Sequence, residues 1–463
     1  MIYLAQQIAG FIFILGSAVV LHEFGHFIVA KLFKIRVETF SAGFGPRLFG
    51  KKWGDTDYRV SAIPLGGYVK LGGDESNAAI EGEGAADIPE SERFNLRPRW
   101  QRVLVALAGP IMNILTALTI PFAAALMFGV QATPAPVVSH LTAGGAAEVA
   151  GLKPGDRIVS FNGADNPKWE RMHNDALLSP DQPLPLVIER NGQRLPLSIK
   201  PTARTEDGET AGFLDFIPDY GGLPIILVEV TTDSPAAKAG LLPGDHILSM
   251  GGQAIKSAEE VSQYVRAHKS QPITLAIERK GERREITATP ALVSDGTEKL
   301  GIKPAEEIPF QKASLTQAAR SAVDSNIEIM RLTGKALGQV FSGKRSVRNT
   351  LSGPIGIYQA AAKSVDLGWG AMFGMLGFLS LNLGIFNLLP IPVLDGGAIF
   401  LLLVEGVLGL VGMSLSLNVR ERIQQVGFVM VMLLMLFVIT NDLLKKFSPG
   451  QPDTKPSSTA PAK

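Results

Sequence analysis

The chain has 463 residues, no cysteine and a formal net charge of +1. The near-neutral charge argues against a broadly basic nucleic-acid surface, and the missing cysteines exclude disulfides, thiolate metal sites and cysteine nucleophiles. Hydrophobic residues make up 46% of the chain and charged residues 19%, and the two classes are strongly segregated along it.

The first predicted element is an apolar helix over residues 1–33, which is long enough to cross a bilayer. We expect it to be retained as a span, because no basic residue precedes it. Residues 22–26 have the H-E-x-x-H pattern, which places His22 and His26 on one helix face, about 40° and 6 Å apart, with Glu23 beside them. Ionisable side chains are costly in a span, so the pattern indicates a metal site with a function. The alternative is a chance match with structural histidines, since the motif fixes only three positions.

Segment 34–102 is predicted to be a cytoplasmic-side loop with a membrane-associated β element, and residues 103–130 form the second apolar helix. Positive charge favours the cytoplasmic face of a membrane protein. Basic residues flank the loop at both ends: Lys31, Lys34, Arg36, Arg47, Lys51 and Lys52 follow the first span, and Arg93, Arg97, Arg99 and Arg102 precede the second. We therefore expect the N-terminus and the long segment 131–370 to be exported.

Two copies of one module are predicted over residues 131–220 and 221–310. The run A-G-L-K-P-G-D-R-I at 150–158 lines up with A-G-L-L-P-G-D-H-I at 239–247, and an I-E-R run follows at the same distance in each copy. Register sustained over so long a stretch indicates duplication. Alternating apolar residues between glycine-containing turns favour small β-rich domains.

Each copy resembles a PDZ domain, in which a short helix precedes a glycine turn and a strand. A late glycine, Gly212 or Gly301, would then open the peptide-binding strand, as in the circularly permuted PDZ domains of bacterial proteases. The resemblance implies that these domains capture extended peptides by adding a strand to a sheet edge. The alternative is that either copy is only a spacer or gate, because the fold alone does not guarantee a ligand.

An amphipathic helical linker is predicted at 311–370, and we expect its apolar stripe to be packed rather than laid on the membrane. The third apolar segment, 371–410, contains two prolines and two glycines near its middle. These residues predict a broken helix, because proline removes a backbone donor and clashes with the preceding turn.

The fourth apolar helix is predicted at 426–445, after a cytoplasmic loop at 411–425. This arrangement returns the C-terminus to the exported side, and the parity of the spans outweighs Lys445 and Lys446, which favour a cytoplasmic end. The tail 446–463, rich in proline, serine, threonine and alanine, is predicted to be disordered.

A catalytic zinc normally has three protein ligands, so a third must join the two histidines. The remaining histidines all lie in the exported modules: His140, His173, His246 and His268. The acids within the later apolar segments are Asp395, Glu405 and Asp442. Asp395 is favoured because it lies at the predicted break, and irregular backbone in a span is tolerated where it lines a buried site. Glu405, in a regular apolar run, and Asp442, near water, are weaker alternatives.

At this point the chain resembles the site-2 proteases, zinc intramembrane peptidases that combine H-E-x-x-H with an N-x-x-P-x-P-x-L-D-G element, here at 387–396. The runs A-G-P-I-M-N at 108–113 and F-S-A-G-F-G-P at 40–46 are also similar to the family, and the resemblance covers nearly all of the chain up to the tail. It implies a multi-pass α-helical membrane protein with four transmembrane helices, a membrane-associated β element and two exported, circularly permuted PDZ domains of β-rich α+β type.

The residues and the resemblance agree on the roles at the site. His22, His26 and Asp395 are expected to hold one Zn²⁺. Glu23 is expected to take a proton from the attacking water and pass it to the leaving amine. Asn387 is expected to hydrogen-bond the substrate backbone or the developing oxyanion, although it can equally satisfy carbonyls of the broken helix. The other residues expected to contact substrate are Gly43, Phe44, Gly45, Pro390 and Pro392.

The resemblance implies a single-span membrane protein, already shortened by a first protease, as the substrate. An anti-sigma factor of the envelope stress response is the leading candidate, and remnant signal peptides are others. The expected location is the bacterial inner membrane, with both termini and the PDZ domains in the periplasm and the active site near the cytoplasmic side. The two PDZ domains are expected to act as a size filter that keeps intact ectodomains from the site. Other partners are the lipid bilayer and peptide ligands of the modules, but no nucleic acid. Two rival interpretations are a non-catalytic, membrane-anchored PDZ scaffold or chaperone and a metal transporter.

Overall fold

The computed structural model divides into two compact units, one formed by Met1–Gly129 with Lys312–Lys463 and the other by Val130–Gln311. The residues that the structure describes are 2–74, 88–131, 133–206, 209–219, 221–255, 257–292, 298–343, 353–411, 413 and 416–447. Most of the tail predicted to be disordered, residues 448–463, lies outside this part of the chain.

The first unit begins with two long apolar helices, α1 (Ile2–Leu32) and α2 (Arg99–Phe128), which pack closely along small residues. A Cβ placed on Gly25 would lie 2.2 Å from the carbonyl oxygen of Ala108, so only glycine fits at this crossing. Small residues allow such close approach of helices, which is a common way to pack spans without a hydrophobic driving force. The H-E-x-x-H segment is therefore pressed directly against α2.

Two long strands, β1 (Val37–Trp53) and β2 (Thr56–Leu71), form the predicted β element between these helices. Strand β2 folds back on itself, so that Thr39 of β1 pairs with Asp57 on one side and with Lys70 on the other. At the fold of β2, the carbonyl oxygen of Pro64 lies 3.5 Å from a Cβ placed on Gly16 of α1. The β element thus reaches the middle of the first apolar helix.

The second unit contains two sheets with the same strand order, each built from one copy of the repeat. The first sheet has the order β11-β4-β5-β7-β8 with β6 beside β5, and the second has the order β19-β12-β13-β15-β16 with β14 beside β13. In each sheet a strand from late in the copy, β11 or β19, lies at the edge beside the first strand of that sheet, β4 or β12. Two-stranded pairs β9–β10 and β17–β18 complete the copies, and β3 pairs with β20.

The elements follow in the same order in both copies, apart from β3 at the start of the first and β20 at the end of the second. In the first copy they are β3 (Val130–Gln131), β4 (Ala135–Leu141), α3 (Ala146–Val149), β5 (Arg157–Phe161), β6 (Ala164–Asp165), α4 (Trp169–Leu177), β7 (Leu184–Arg190), β8 (Gln193–Ile199), β9 (Thr202–Glu206), β10 (Glu209–Phe213) and β11 (Phe216–Asp219). In the second they are β12 (Ile225–Val230), α5 (Pro235–Ala239), β13 (His246–Met250), β14 (Gln253–Ala254), α6 (Ala258–Ala267), β15 (Ile273–Arg279), β16 (Glu282–Ala288), β17 (Ala291–Leu292), β18 (Glu298–Lys299), β19 (Ile302–Glu306) and β20 (Phe310–Gln311).

An aspartate–arginine pair explains the repeated G-D and I-E-R runs. Asp245 accepts hydrogen bonds from Nε and Nη2 of Arg279 at 2.6 and 2.7 Å and from the backbone N–H of Leu242 at 2.9 Å. Asp156 and Arg190 make the same pair in the first copy, at 2.6 Å for both nitrogens. Burial raises the pKa of both carboxyls, but the arginine and backbone hydrogen bonds together outweigh it and leave each pKa below its ordinary value.

The chain returns to the helical unit with α7 (Leu315–Phe341), α8 (Pro354–Asp366), α9 (Trp369–Asn387), α10 (Asp395–Leu410) and α11 (Leu417–Phe447). Helix α7 packs on α2 through small residues, and Asn326 donates to the carbonyl oxygen of Ala117 at 3.0 Å. Among the apolar residues of this helix, Ala318 is buried, whereas Leu315 and Ile327 are exposed by 69% and 53%. Alanine permits close helix contact, whereas the larger side chains lie outside it.

Four described helices are long and apolar enough to cross a membrane: Tyr3–Leu32, Arg99–Phe128, Trp369–Asn387 and Arg422–Leu444. The four apolar helices and the β-rich regions agree with the sequence-based prediction. The third apolar segment is interrupted, because α9 ends at Asn387 and α10 begins at Asp395.

Candidate metal centre

Three potential metal-binding side chains from two distant parts of the chain converge in the helical unit. Nε2 of His22 lies 3.0 Å from Oδ2 of Asp395, and Nε2 of His26 lies 3.5 Å from Oδ1 of the same carboxylate. The two Nε2 atoms are 3.2 Å apart. The side chains of His22, His26 and Asp395 are only 6%, 12% and 23% exposed.

These distances suit a tetrahedral zinc ion. Ligand atoms about 2.1 Å from a tetrahedral centre are about 3.4 Å from one another. Two imidazole nitrogens and one carboxylate oxygen form a donor set that zinc accepts in peptidases, and three ligands leave a fourth position open. The geometry of His22, His26 and Asp395 therefore fits the predicted zinc ion.

Asp395 can take this position because the two residues that follow it are glycines, which fit against the turn between α9 and α10. Asp395 is the first residue of α10, and the chain before it turns sharply through Val393, which has a φ of +87°. A Cβ on Gly396 would lie 2.3 Å from the carbonyl oxygen of Leu388, and one on Gly397 would lie 2.2 Å from that of Ile391. Larger residues at these two positions would push the turn away, so the glycines set the place of the carboxylate.

Helix α2 contacts the rings of both histidines. Nδ1 of His26 lies 2.7 Å from the carbonyl oxygen of Val105, and the side-chain amide of Asn113 lies 3.1 Å from Nδ1 of His22. A Cβ on Gly109 would lie 2.3 Å from Nε2 of His26 and 2.7 Å from Nε2 of His22. The A-G-P-I-M-N run contributed to the resemblance, but the sequence alone assigned none of these residues to the metal site.

Two of the residues expected to act on substrate, Glu23 and Asn387, lie close to the histidines. Asn387, the last residue of α9, has its Nδ2 atom 3.3 Å from Nε2 of His22. Glu23 is partly buried, and its Cγ lies 3.6 Å from a Cβ placed on Gly67 of β2. The sequence did not single out Gly67, because its proximity to Glu23 depends on the way β2 folds back.

The glycine-rich turn of β1 packs against the fold of β2. Gly43 has a φ of +96°, and a Cβ there would lie 2.7 Å from the carbonyl oxygen of Ile63. The ring of Phe44 stacks on Tyr68 at 6.1 Å and fills the space above Gly66. Gly45 also has a positive φ, of +85°. The Gly66–Tyr68 segment therefore contacts both this turn and Glu23.

The two prolines of the break between α9 and α10 have different surroundings. Pro390 is exposed, and Pro392 contacts α11, where a Cβ on Gly427 would lie 2.2 Å from Cβ of Pro392. The break between α9 and α10 is thus in contact with the last apolar helix.

The two alternative carboxylate ligands are engaged elsewhere. Glu405 forms an ion pair with Arg420. Asp442 accepts backbone hydrogen bonds from Gly353, Ile355 and Gly356 at 3.0–3.2 Å, which stabilises the N-terminus of α8. Neither carboxylate belongs to the cluster of potential ligands.

Two histidines and an aspartate around one point, with a glutamate next to the first histidine on an apolar helix, define a metal-dependent peptidase whose site lies among membrane-length helices. The comparison with known families agrees, since Peptidase family M50 matches residues 10–434. The chain belongs to this family and is a zinc metalloprotease of the site-2 type.

Relatives of similar length extend this result. The regulator of sigma-E protease RseP of Salmonella typhimurium (strain 14028s / SGSC 2262) is 31% identical over 96% of this chain and 99% of its own. The protein of the same name from Escherichia coli (strain K12) is 31% identical over 94% and 98%. Protease RseP of Yersinia pestis is 32% identical over 96% and 99%.

Solved structures are similar to a short part of the chain. The PDZ domain of an SdrC-like protein from Listeria monocytogenes covers 17% of this chain at 26% identity, with a TM-score of 0.16.

Proposed function

We propose that this chain is a zinc-dependent endopeptidase that cleaves the transmembrane segment of a single-span membrane protein previously shortened by another protease. The observation that carries the proposal is the convergence of His22 and His26, on a membrane-length apolar helix beside Glu23, with Asp395 at the start of α10. One Zn²⁺ per chain, held by these three ligands, would polarise the scissile carbonyl and activate water.

Each neighbouring side chain then has a defined task. Glu23 takes a proton from the attacking water and passes it to the leaving amine. This role requires a carboxylate that lies next to the metal ligands without itself binding the metal. Asn387 donates from Nδ2 to the substrate carbonyl as negative charge develops on it. Its position 3.3 Å from Nε2 of His22 supports this role, because the reacting carbonyl must lie close to the ligands.

The β element is proposed to hold the substrate in an extended form. A transmembrane helix has its amides already paired, so its cleavage requires local unwinding. The Gly66–Tyr68 segment lies next to Glu23, and Gly43, Phe44 and Gly45 pack behind it, so a substrate strand added there would run past the catalytic carboxylate. Pro390 and Pro392, in the break between α9 and α10, would contact the extended substrate on its other side.

The similarity to proteins named regulator of sigma-E protease favours an anti-sigma factor of the envelope stress response as the substrate, with remnant signal peptides as others. The basic loop between α1 and α2 favours the cytoplasmic side for Lys31–Arg102, and hence the bacterial inner membrane with both termini and the β-rich unit in the periplasm. The metal site then lies near the cytoplasmic side of the bilayer.

The two β-rich copies are proposed to be circularly permuted PDZ domains that act as a size filter. Their shared strand order, in which the last strand lies at the edge beside the first, supports this assignment. In the second copy, α6 and the edge strand β19 line a cavity of about 820 Å³ that includes Val261, Val265 and Ile302. An edge strand beside a helix is where PDZ domains add a peptide strand.

The test is cleavage of a purified single-span substrate by the wild type and by Glu23→Gln, with bound zinc measured in both. We expect Glu23→Gln to keep its zinc and to lose cleavage by about 10²–10⁴-fold, the usual contribution of a general base. The matched control is Glu405→Gln, which changes another buried glutamate, one that pairs with Arg420 outside the ligand cluster, and should retain cleavage. Equal cleavage by wild type and Glu23→Gln would overturn the proposal.

A further inference from the structure

We propose that Asn113 of α2 is a positioning residue for the metal site, which fixes the tautomer and ring orientation of His22 through a hydrogen bond to Nδ1. The inference rests on the proposed zinc site. Asn113 is fully buried, and its amide lies 3.1 Å from Nδ1 of His22, the ring nitrogen that faces away from the other ligands.

The direction of this hydrogen bond follows from the ligand geometry. Nε2 of His22 faces His26 and Asp395, so it must be free of a proton to bind a metal ion. A neutral imidazole then carries its proton on Nδ1 and donates it. Oδ1 of Asn113 has no hydrogen-bond partner among the described residues when the amide nitrogen faces the ring. Turning the amide by 180° places Oδ1 as the acceptor of the Nδ1–H group.

The same helix face serves the second histidine. Nδ1 of His26 donates to the carbonyl oxygen of Val105 at 2.7 Å. Val105, Gly109 and Asn113 are four residues apart and therefore lie along one stripe of α2. Gly109, between the two acceptors, has no side chain and leaves room for both imidazoles. Helix α2 thus supplies an acceptor for each histidine and the space in which the two rings meet.

A purely structural role does not account for asparagine at this position. An apolar side chain of similar size would fill the space between α1 and α2 without the cost of burying an amide. Burial of a polar group is tolerated when its hydrogen bond is made, and here the described partner is the imidazole. Metal-bound histidines commonly donate their other ring nitrogen, and loss of that acceptor typically weakens metal affinity 10- to 100-fold.

The test measures zinc affinity of the full-length protein in detergent by competition with a chelator, together with the melting temperature of the metal-free form. Asn113→Leu keeps the approximate volume and removes the acceptor, so we expect zinc to bind about 10- to 100-fold more weakly. Asn113→Asp keeps an acceptor and should stay within about threefold of the wild type. Asn326→Ala is the control, because that buried asparagine bonds α2 at Ala117, away from the histidines.

Unchanged zinc affinity in Asn113→Leu would overturn the inference, and so would an equal loss in the leucine and aspartate variants, since that pattern would indicate packing alone. If the leucine variant does not accumulate, Asn113→Ala makes the same comparison with aspartate. Absence of zinc binding by the wild type itself would refute the proposed metal site instead, so the two failures are distinguishable.

Discussion

Gly109→Ala is expected to remove the metal site while adding only one methyl group to α2. The new Cβ would lie 2.3 Å from Nε2 of His26 and 2.7 Å from Nε2 of His22. Ordinary van der Waals contact needs about 3.5 Å, so both ligand atoms must retreat by about 1 Å. Zinc sites tolerate deviations of only about 0.2 Å in ligand distance.

The surrounding structure cannot easily absorb this displacement. Immediately beside Gly109, Gly25 of α1 already faces the backbone of Ala108 of α2, with no room for a Cβ, so the helices are held at their closest approach. We therefore expect zinc affinity to fall by at least about 100-fold, a larger effect than loss of one outer hydrogen bond. Alanine has the higher helix propensity, so the metal-free protein should still accumulate.

The assay is zinc content after dialysis against a chelator, followed by cleavage of a single-span substrate. Gly406→Ala is the matched control, because a Cβ on Gly406 of α10 meets nothing within 4 Å and should leave zinc binding and cleavage unchanged. A Gly109→Ala protein that keeps wild-type zinc content and activity would refute the reasoning, because the histidines would then not bind a metal through the Nε2 atoms placed here.

Elsewhere in the chain, Asp245→Asn should destabilise the second β-rich copy by about 2 kcal/mol, measured by thermal unfolding, because it leaves Arg279 without its charged partner. Since the pKa of Asp245 is lowered in the folded state, this stabilisation is present above about pH 4 and should be lost as the pH falls through the lowered pKa. A difference in stability between variant and wild type that does not change with pH would contradict the pairing. Asp442→Asn should lower the melting temperature by weakening the N-terminus of α8 without changing zinc content, and loss of zinc would mean that Asp442 reaches the metal. Deletion of residues 131–310 should permit cleavage of a substrate with an intact ectodomain, and unchanged selectivity would contradict the size filter.

The cluster of His22, His26 and Asp395 could be anticipated because its signals in the sequence are local. His22 and His26 are related by helical spacing alone, and Asp395 could be singled out because prolines and glycines mark the only sharply broken apolar segment in the sequence. The folded chain adds that the two weaker alternatives, Glu405 and Asp442, have partners elsewhere.

The supporting residues could not be predicted, because each acts across a long sequence distance. Asn113 and Gly109 are separated from the histidines by the whole β element, and nothing in their helical periodicity shows which residues they face. The repeat likewise showed that Asp156 and Arg190 recur together without showing that they pair. The position of Gly67 beside Glu23 depends on the double pairing of β1, which alternation of apolar residues does not reveal.

The most direct test of the central claim is the position of the cut in a single-span substrate reconstituted with the full-length protein in liposomes, determined by mass spectrometry of both products. We expect a single cut within the apolar segment in the presence of zinc, absent with Glu23→Gln. A cut confined to the flanking polar residues, or an intramembrane cut that persists in Glu23→Gln, would contradict the account.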